Sequence, residues 1–304
     1  MIKKQSGKTG FSLLELVVVS VIISALIGAA SYGKLIINSA RLRIAQTLTA
    51  KSPIQSIPDL ALWLETTLDG SITSANATTN GGNLSNNDPV SSWNDISNNK
   101  INLTQATTNN RPTYIKNGIN FLPSLSFNGT SSFLSSTRAP IDLGAKKHTM
   151  IIVWKPFSST QAVLVDQKPT GSAIDTTASL YINNTGSGIF GFSTRYSVGG
   201  NTIGIPITIN NSYISAAVFD ASLGFNAKLY LNGIGSDDST STLYEEYKLG
   251  NDIFLVGATS NSGTPSLFAN AWISEVIIFN RNLTPLEMGI INKYLSQKYN
   301  ITLS

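Results

Sequence analysis

From Leu16 to Gly33 the chain holds 18 residues without a charge, enough for a helix that crosses a bilayer's hydrocarbon core. Residues 11–52 contain no Pro, and their apolar character changes along the way. The first half is apolar all round, as a lipid-embedded helix is. The second, "KLIINSARLRIAQTLTAKS", is amphipathic, with Ile37, Ala40, Ile44 and Leu48 at three- and four-residue steps. Pro53 and Pro58 end the pattern. At 1.5 Å per residue such a helix reaches about 63 Å, so the first half can sit in lipid while the second projects.

After Asp59 the pattern changes to short β runs punctuated by Asn, Gly, Ser and Pro. Strands are expected over 148–155, 162–166, 179–183, 189–194, 213–220, 227–233, 252–258 and 272–280. Their spacing predicts an antiparallel sandwich. "NG" at 128–129 and 232–233 reads as two hairpin turns. One helix closes the chain, with Thr284 as N-cap, Pro285 in the first turn and Glu287 completing a capping box. Leu286, Ile290, Tyr294 and Leu295 are then expected to face the sandwich. No internal repeat is present, and residues 71–110 read as Asn/Thr-rich loop.

Composition adds a compartment. Of the 304 residues, 41% are hydrophobic and only 12% charged, about half the usual charged share. Asn, Ser and Thr fill the deficit, as in "SITSANATTNGGNLSNNDPVSS", which suits an extracytoplasmic surface. The net charge of +4 comes from the N-terminal region, where Lys3, Lys4, Lys8, Lys34, Arg41, Arg43 and Lys51 flank the apolar run. With those seven cations and Glu15 set aside from totals of 21 and 17, residues 52–304 hold 14 cations and 16 acids. No basic domain remains, which argues against nucleic acid as a partner. With no Cys, there is neither a disulfide framework nor a thiolate metal site.

Glu15 interrupts the start of the apolar segment, where a carboxylate is costly and needs a partner or a job. A plain signal anchor that carries an acid is one account. The flanking charges do not set its topology, with three basic residues before the run and four after it. A basic leader, "MIKKQSGKTG", ends in Gly10 immediately before "FSLLELVVV". This stretch closely resembles the prepilin signature of type IV pilins and of type II secretion pseudopilins, over about residues 3–40. The resemblance implies cleavage by prepilin peptidase between Gly10 and Phe11, N-methylation of Phe11, and an assembly role for Glu15. Physically, the cut creates an ammonium that Glu15 of a neighbouring subunit can pair with. A misregistered subunit would leave a charge unpaired, at a cost of several kcal/mol. Two departures point away from an ordinary major pilin and toward a minor or specialised subunit: Tyr32 stands where many pilins have a helix Pro, and a C-terminal disulfide is impossible.

The remainder has a second likeness. "PDLALWLETTLDGSI", "VSSWNDISNN", "NGINFLPSLSFNGTSSFL" and "AWISEVIIFNRNLTPLEMGIINKYLSQKYNI" resemble LamG-like, concanavalin A-like domains over nearly all of 58–301. That resemblance implies a two-sheet jelly roll and leaves function open, because the fold hosts lectins, hydrolases, adhesion modules and structural domains. Trp63, Trp93 and Trp272 read first as packing residues, with sugar stacking as the alternative, and Arg111 as a donor to loop carbonyls. The glucanases of this fold use a Glu-x-Asp pair, and none of the six glutamates has an Asp two residues later. Glu245 and Glu246 read as a solvated loop. His148, the only histidine, reads as a satisfied structural residue, so the chain is not expected to be an enzyme. Asp95, Asn98, Asn99, Asp237 and Asp238 lie in loops and are weak calcium candidates. Their spacing fits no EF-hand, and solvated turns are the favoured reading, so no cofactor is expected.

The expected organisation is a leader over 1–10, a pilin-type helix over 11–52 (apolar over 11–33), a linker over 53–58 and a LamG-like β-sandwich head over 59–304. The expected function is a structural subunit of a type IV pilus-like filament or a type II secretion pseudopilus. The alternative is a surface adhesin or carbohydrate-binding module anchored by the same helix. Expected partners are prepilin peptidase, other pilin or pseudopilin subunits, the inner membrane before assembly, and a glycan or surface ligand for the head.

Overall fold

The computed structural model describes residues 13–74, 84–142, 147–169, 178–183, 188–193, 203–220, 226–235 and 252–304. The chain divides into two compact units, Met1–Arg43 and Ile44–Ser304. Helix α1 spans Leu13–Ala50, and its only acid in the first turn is Glu15. Within the first unit its apolar side chains are outward and uncovered, Leu26 being 64% exposed and Ile36 69%. The helix is long and apolar enough to cross a membrane. Its last residues belong to the second unit, where Ala45 and Thr49 are buried. Residues 53–58, expected to be a linker, include a 3-10 turn at Ile54–Ser56 and contribute Ile54 and Ile57 to the core.

The second unit is a sandwich of antiparallel sheets. The first sheet runs β15 (Ile234–Gly235), β14 (Asn226–Leu231), β13 (Tyr213–Asp220), β8 (Lys147–Pro156), β19 (Asn270–Phe279), β6 (Ser124–Asn128) and β5 (Thr113–Ile115). Strand β1 (Leu60–Glu65) also pairs with β19. One edge of β19 is thus shared, with Asn270–Ile273 facing β6 and Glu275–Phe279 facing β1. The second sheet runs β12 (Ile203–Pro206), β11 (Ile189–Ser193), β10 (Ala178–Asn183), β9 (Ala162–Pro169), β16 (Asp252–Val256), β7 (Leu134–Ser136), β4 (Leu103–Thr104), β3 (Val90–Trp93) and β2 (Ile72–Ser74). A small hairpin pairs β17 (Thr259–Asn261) with β18 (Thr264–Ser266).

Two apolar layers hold the head together. Between the sheets lie Trp93, Trp154, Phe127, Phe190, Phe192 and Phe254. The outer face of the first sheet is covered by helix α2 (Pro285–Tyr299) and the end of α1, which enclose Trp63, Ile151, Val153, Ile277 and Phe279. Strands β8 and β19 are consequently buried on both faces and read as continuous apolar runs. All eight expected strands are present, and α2 has the expected capping box of Thr284 and Glu287.

Three expectations are corrected. Residues 71–110, read as loop, contain β2, β3 and β4. The buried stripe of α2 is Met288, Ile291, Asn292, Tyr294, Leu295, Lys298 and Tyr299, whereas Leu286 is 74% and Ile290 40% exposed. Tyr294 and Leu295 face the sandwich as expected, whereas Lys298 and Asn292 take inward positions that hydrophobic periodicity does not assign. The turn at Asn232–Gly233 is a two-residue hairpin with φ of 49° and 89°, as expected. Asn128–Gly129, however, leads from one sheet to the other. Asn128 Oδ1 accepts the N–H groups of Thr130, Ser131 and Ser132 at 2.9, 2.9 and 3.0 Å, closing a loop and not a hairpin.

Candidate functional site

The processing pair Gly10 and Phe11 lies outside the described residues. Glu15 stands exposed in the first turn of α1. Further along, Ser20, Ser24 and Ser31 donate to the carbonyls of Leu16, Ser20 and Ile27 at 2.7, 2.8 and 2.9 Å. Each hydroxyl is thereby satisfied within the helix, and the surface offered to lipid or to another helix stays apolar.

In the head, Asp95 is a loop staple. Its Oδ1 accepts from the backbone N–H of Trp63 and Ser97 at 2.9 and 2.8 Å. Its Oδ2 accepts from Ser97 Oγ and the Ile101 N–H, both at 2.8 Å. Asn99 donates to the carbonyls of Leu60 and Ala61. Asp95 is thus a buried structural residue with both carboxylate oxygens committed, and the favoured reading of a solvated turn is corrected there. Asp237 and Asp238, like Glu245 and Glu246, lie outside the described residues. Among the described residues no three His, Cys, Asp or Glu side chains gather as a metal site. Arg111 donates to the Gln105 and Ala106 carbonyls at 2.8 and 2.9 Å, as expected. Trp63 and Trp93 are buried, while Trp272 is half-buried, edge-on to Phe157, with Lys155 Nζ 5.7 Å from its ring.

Sequence reasoning missed the main polar cluster, which sits beneath α2. Glu65 and Glu275 are directly opposed on β1 and β19, and both are wholly buried. Two carboxylates so placed repel. Lys298 Nζ lies between them, donating to Glu65 Oε2 at 3.0 Å, Glu275 Oε2 at 2.8 Å and Tyr294 OH at 3.2 Å. Glu65 also accepts from Thr67 N–H and Oγ1 and from Leu68 N–H, at 2.8, 2.6 and 2.6 Å. Glu275 also accepts from Trp63 Nε1, Tyr294 OH and Tyr299 OH, at 2.7, 3.1 and 2.9 Å. Tyr294 OH meets Thr49 Oγ1 at 3.1 Å, tying in the last turn of α1. Every carboxylate oxygen has a donor, which is what makes a buried network tolerable. The only sequence signal was a lysine in phase with Tyr294 and Ile291.

Electrostatics match the geometry. Burial pushes the Glu65 carboxyl up, but Lys298 and the Thr67 and Leu68 hydrogen bonds outweigh it and hold the group below its usual range. Burial pulls the Lys298 ammonium down, yet Glu275, the tyrosines and Glu65 raise it well above an ordinary lysine. His148 is different. Packed 5.1 Å from the Phe219 ring and 5.7 Å from Phe192, its Nε2 has no hydrogen-bond partner among the described residues, so the expectation of a satisfied histidine is corrected. Burial pushes its pKa down to about 3.

With the geometry in view, comparison with known proteins assigns the two parts. Residues 5–31 match the family model for the prokaryotic N-terminal methylation motif. No curated protein matches the chain. Trypanosoma rangeli sialidase superposes with a TM-score of 0.52 at 13% identity, covering 87% of this chain and 39% of the sialidase. Its complex with sialic acid gives 0.51 at 14% identity, over 79% and 33%. The chain thus spans under two-fifths of the length of these sialidases, and at such identity the likeness shows fold alone. The protein carries a type IV pilin-like methylation segment joined to a jelly-roll β-sandwich head. The segment marks the chain for type IV pilin-like processing.

Two outcomes test this chemistry. Lys298→Met leaves two buried carboxylates opposed, so the head should lose about 3–5 kcal/mol of stability in urea denaturation of the full chain. For pH, the depressed Glu65 favours the fold above its unfolded pKa, and this is lost as pH falls through the lower folded value. The raised Lys298 favours the fold below its unfolded pKa, and this is lost only as pH rises through the higher folded value. The depressed His148 adds a loss from about pH 6.5 downward, where the unfolded chain takes up a proton that the fold refuses until about 3. His148→Leu should therefore remove a stability slope approaching 1.4 kcal/mol per pH unit between about pH 6 and 5, read by urea midpoints across pH.

Proposed function

We propose that this chain is a structural subunit, minor or specialised, of a type IV pilus-like filament or a type II secretion pseudopilus. The observation that carries the reading is the methylation motif at residues 5–31 running directly into a helix whose apolar side chains are uncovered. Such a surface is stable in lipid or against other helices, not in water. Prepilin peptidase cuts between Gly10 and Phe11, Phe11 is N-methylated, and residues 11–33 hold the protein in the inner membrane until assembly. The head then stands outside the cytoplasm, in keeping with its low charge. Leader 1–10, helix 11–52, the short link 53–58 and head 59–304 are the working parts, with the link packed into the head.

Glu15 is the register pin of this assembly, pairing with the Phe11 amine of a neighbouring subunit. The role is non-enzymatic. Glu65 and Glu275, opposed on β1 and β19, are buried and sealed from any substrate. The large head suits a subunit that decorates or tips a filament better than a densely packed shaft.

Glu15→Ala should lower incorporation into sheared filaments at least tenfold, measured by immunoblot, since an unpaired ammonium costs several kcal/mol. The same variant should leave the urea midpoint of the head unchanged. Incorporation at the normal level would refute the pin.

A further inference from the structure

At one end of the sandwich three loops enclose a cleft of about 410 Å³. They connect β6 to β7, β8 to β9 and β18 to β19. Its polar lining includes Thr130, Ser158, Thr160, Gln161 and Asn270, beside an apolar patch of Leu267 and Phe268. The volume is within the usual range for small-molecule sites, about 300–1,000 Å³.

The cleft is preformed. Gly129 N–H donates to the Ala269 carbonyl at 2.8 Å, Phe157 N–H to Asn270 at 2.9 Å and Val163 N–H to Leu267 at 2.9 Å. The three loops are therefore laced to one another by backbone, beyond the lacing of Asn128 within its own loop. Gly129 has φ +75°, and a Cβ there would lie 2.9 Å from Asn270 Cβ, so this approach requires glycine. Leu267 has φ +48° and is 36% exposed. A bulky residue in that conformation is strained, and such strain collects at ligand clamps.

We propose that this cleft is a binding site for a neutral, hydroxyl-rich ligand of the oligosaccharide class. An amide presents donor and acceptor side by side, which matches a pair of adjacent sugar hydroxyls, and Ser and Thr hydroxyls serve either role. Leu267 and Phe268 offer a surface for the C–H face of a sugar ring. Among the described residues no ionised side chain lines the cleft, so a carboxylate or phosphate would enter without a counter-charge from them. The nearby Lys155 is held over the Phe157 and Trp272 rings instead. A rigid site loses little to ordering when it binds. This inference goes beyond the filament role and stands on the head alone, so binding and assembly can fail separately.

The test uses the full chain in a zwitterionic detergent, which brings no sugar headgroup. Saturation-transfer NMR is run with maltotriose, cellotriose, mannotriose, galactotriose and chitotriose, and with 3′-sialyllactose as the acidic member. At least one neutral sugar should bind while sialyllactose does not. Thr130→Trp, a filling change at an exposed position, should weaken that binding at least tenfold. Gln161→Ala should weaken it several-fold with an unchanged melting temperature, which separates lost binding from lost folding. Absence of neutral binding, binding only of sialyllactose, or binding unaltered by both variants would overturn the proposal.

Discussion

The ammonium of Lys298 is buried between Glu65 and Glu275, and the placing of several elements follows from that one fact. A lysine taken out of water is tolerable only where carboxylates and hydroxyls replace its hydration. Here those groups come from β1, β19 and α2 itself, so the helix has one rotation and one height over the sheet at which all three N–H bonds form. Tyr294 then presents its hydroxyl to Thr49, and the last turn of α1 acquires its seat. Apolar packing alone would tolerate a slide of α2; the charged contact does not. Trp63 completes the arrangement by donating its indole N–H to Glu275 while its ring packs edge-on to Tyr294.

This outer layer also explains how the head manages without cysteine. A sandwich with one bare outer face would rely on its inner core. Covering the first sheet with α2 and residues 44–57 adds a second buried layer of large side chains, including Ile54, Ile291, Leu295 and Tyr299. Each such residue contributes about 1.5–3 kcal/mol of burial.

Local features were readable from the chain. The helix, the eight strands, the capping box, the Asn232–Gly233 turn and the burial of Trp63 and Trp93 all express short-range pattern or residue size. What escaped was non-local. Glu65 and Lys298 are separated by 233 positions and Trp63 and Glu275 by 212, so no spacing rule joins them. The inward face of α2 was only half legible for the same reason, since a lysine is counted as outward unless its buried partners are known. Asp95 and Asn128 look like ligands or turn residues in sequence, and only the folded loops reveal that their oxygens gather backbone N–H groups. For the candidate site, Gly10, Phe11 and Glu15 stood out through the resemblance of that stretch to the prepilin signature. The cleft was not readable at all, because Thr130, Gln161 and Asn270 come from three loops brought together by the fold.

The two parts of the chain answer different physical demands. An apolar helix needs lipid or partners, while the head carries two buried apolar layers of its own. In the proposed function, processing at the N-terminus connects them, since the cut that removes the leader also creates the amine proposed to pair with Glu15. The most direct measurement is therefore the intact mass and N-terminal peptide of the protein recovered from cell-surface filaments. The account predicts a chain that begins at Phe11 and bears one N-methyl group. A surface-exposed chain that still carries residues 1–10, or that is cut at another position, would contradict it.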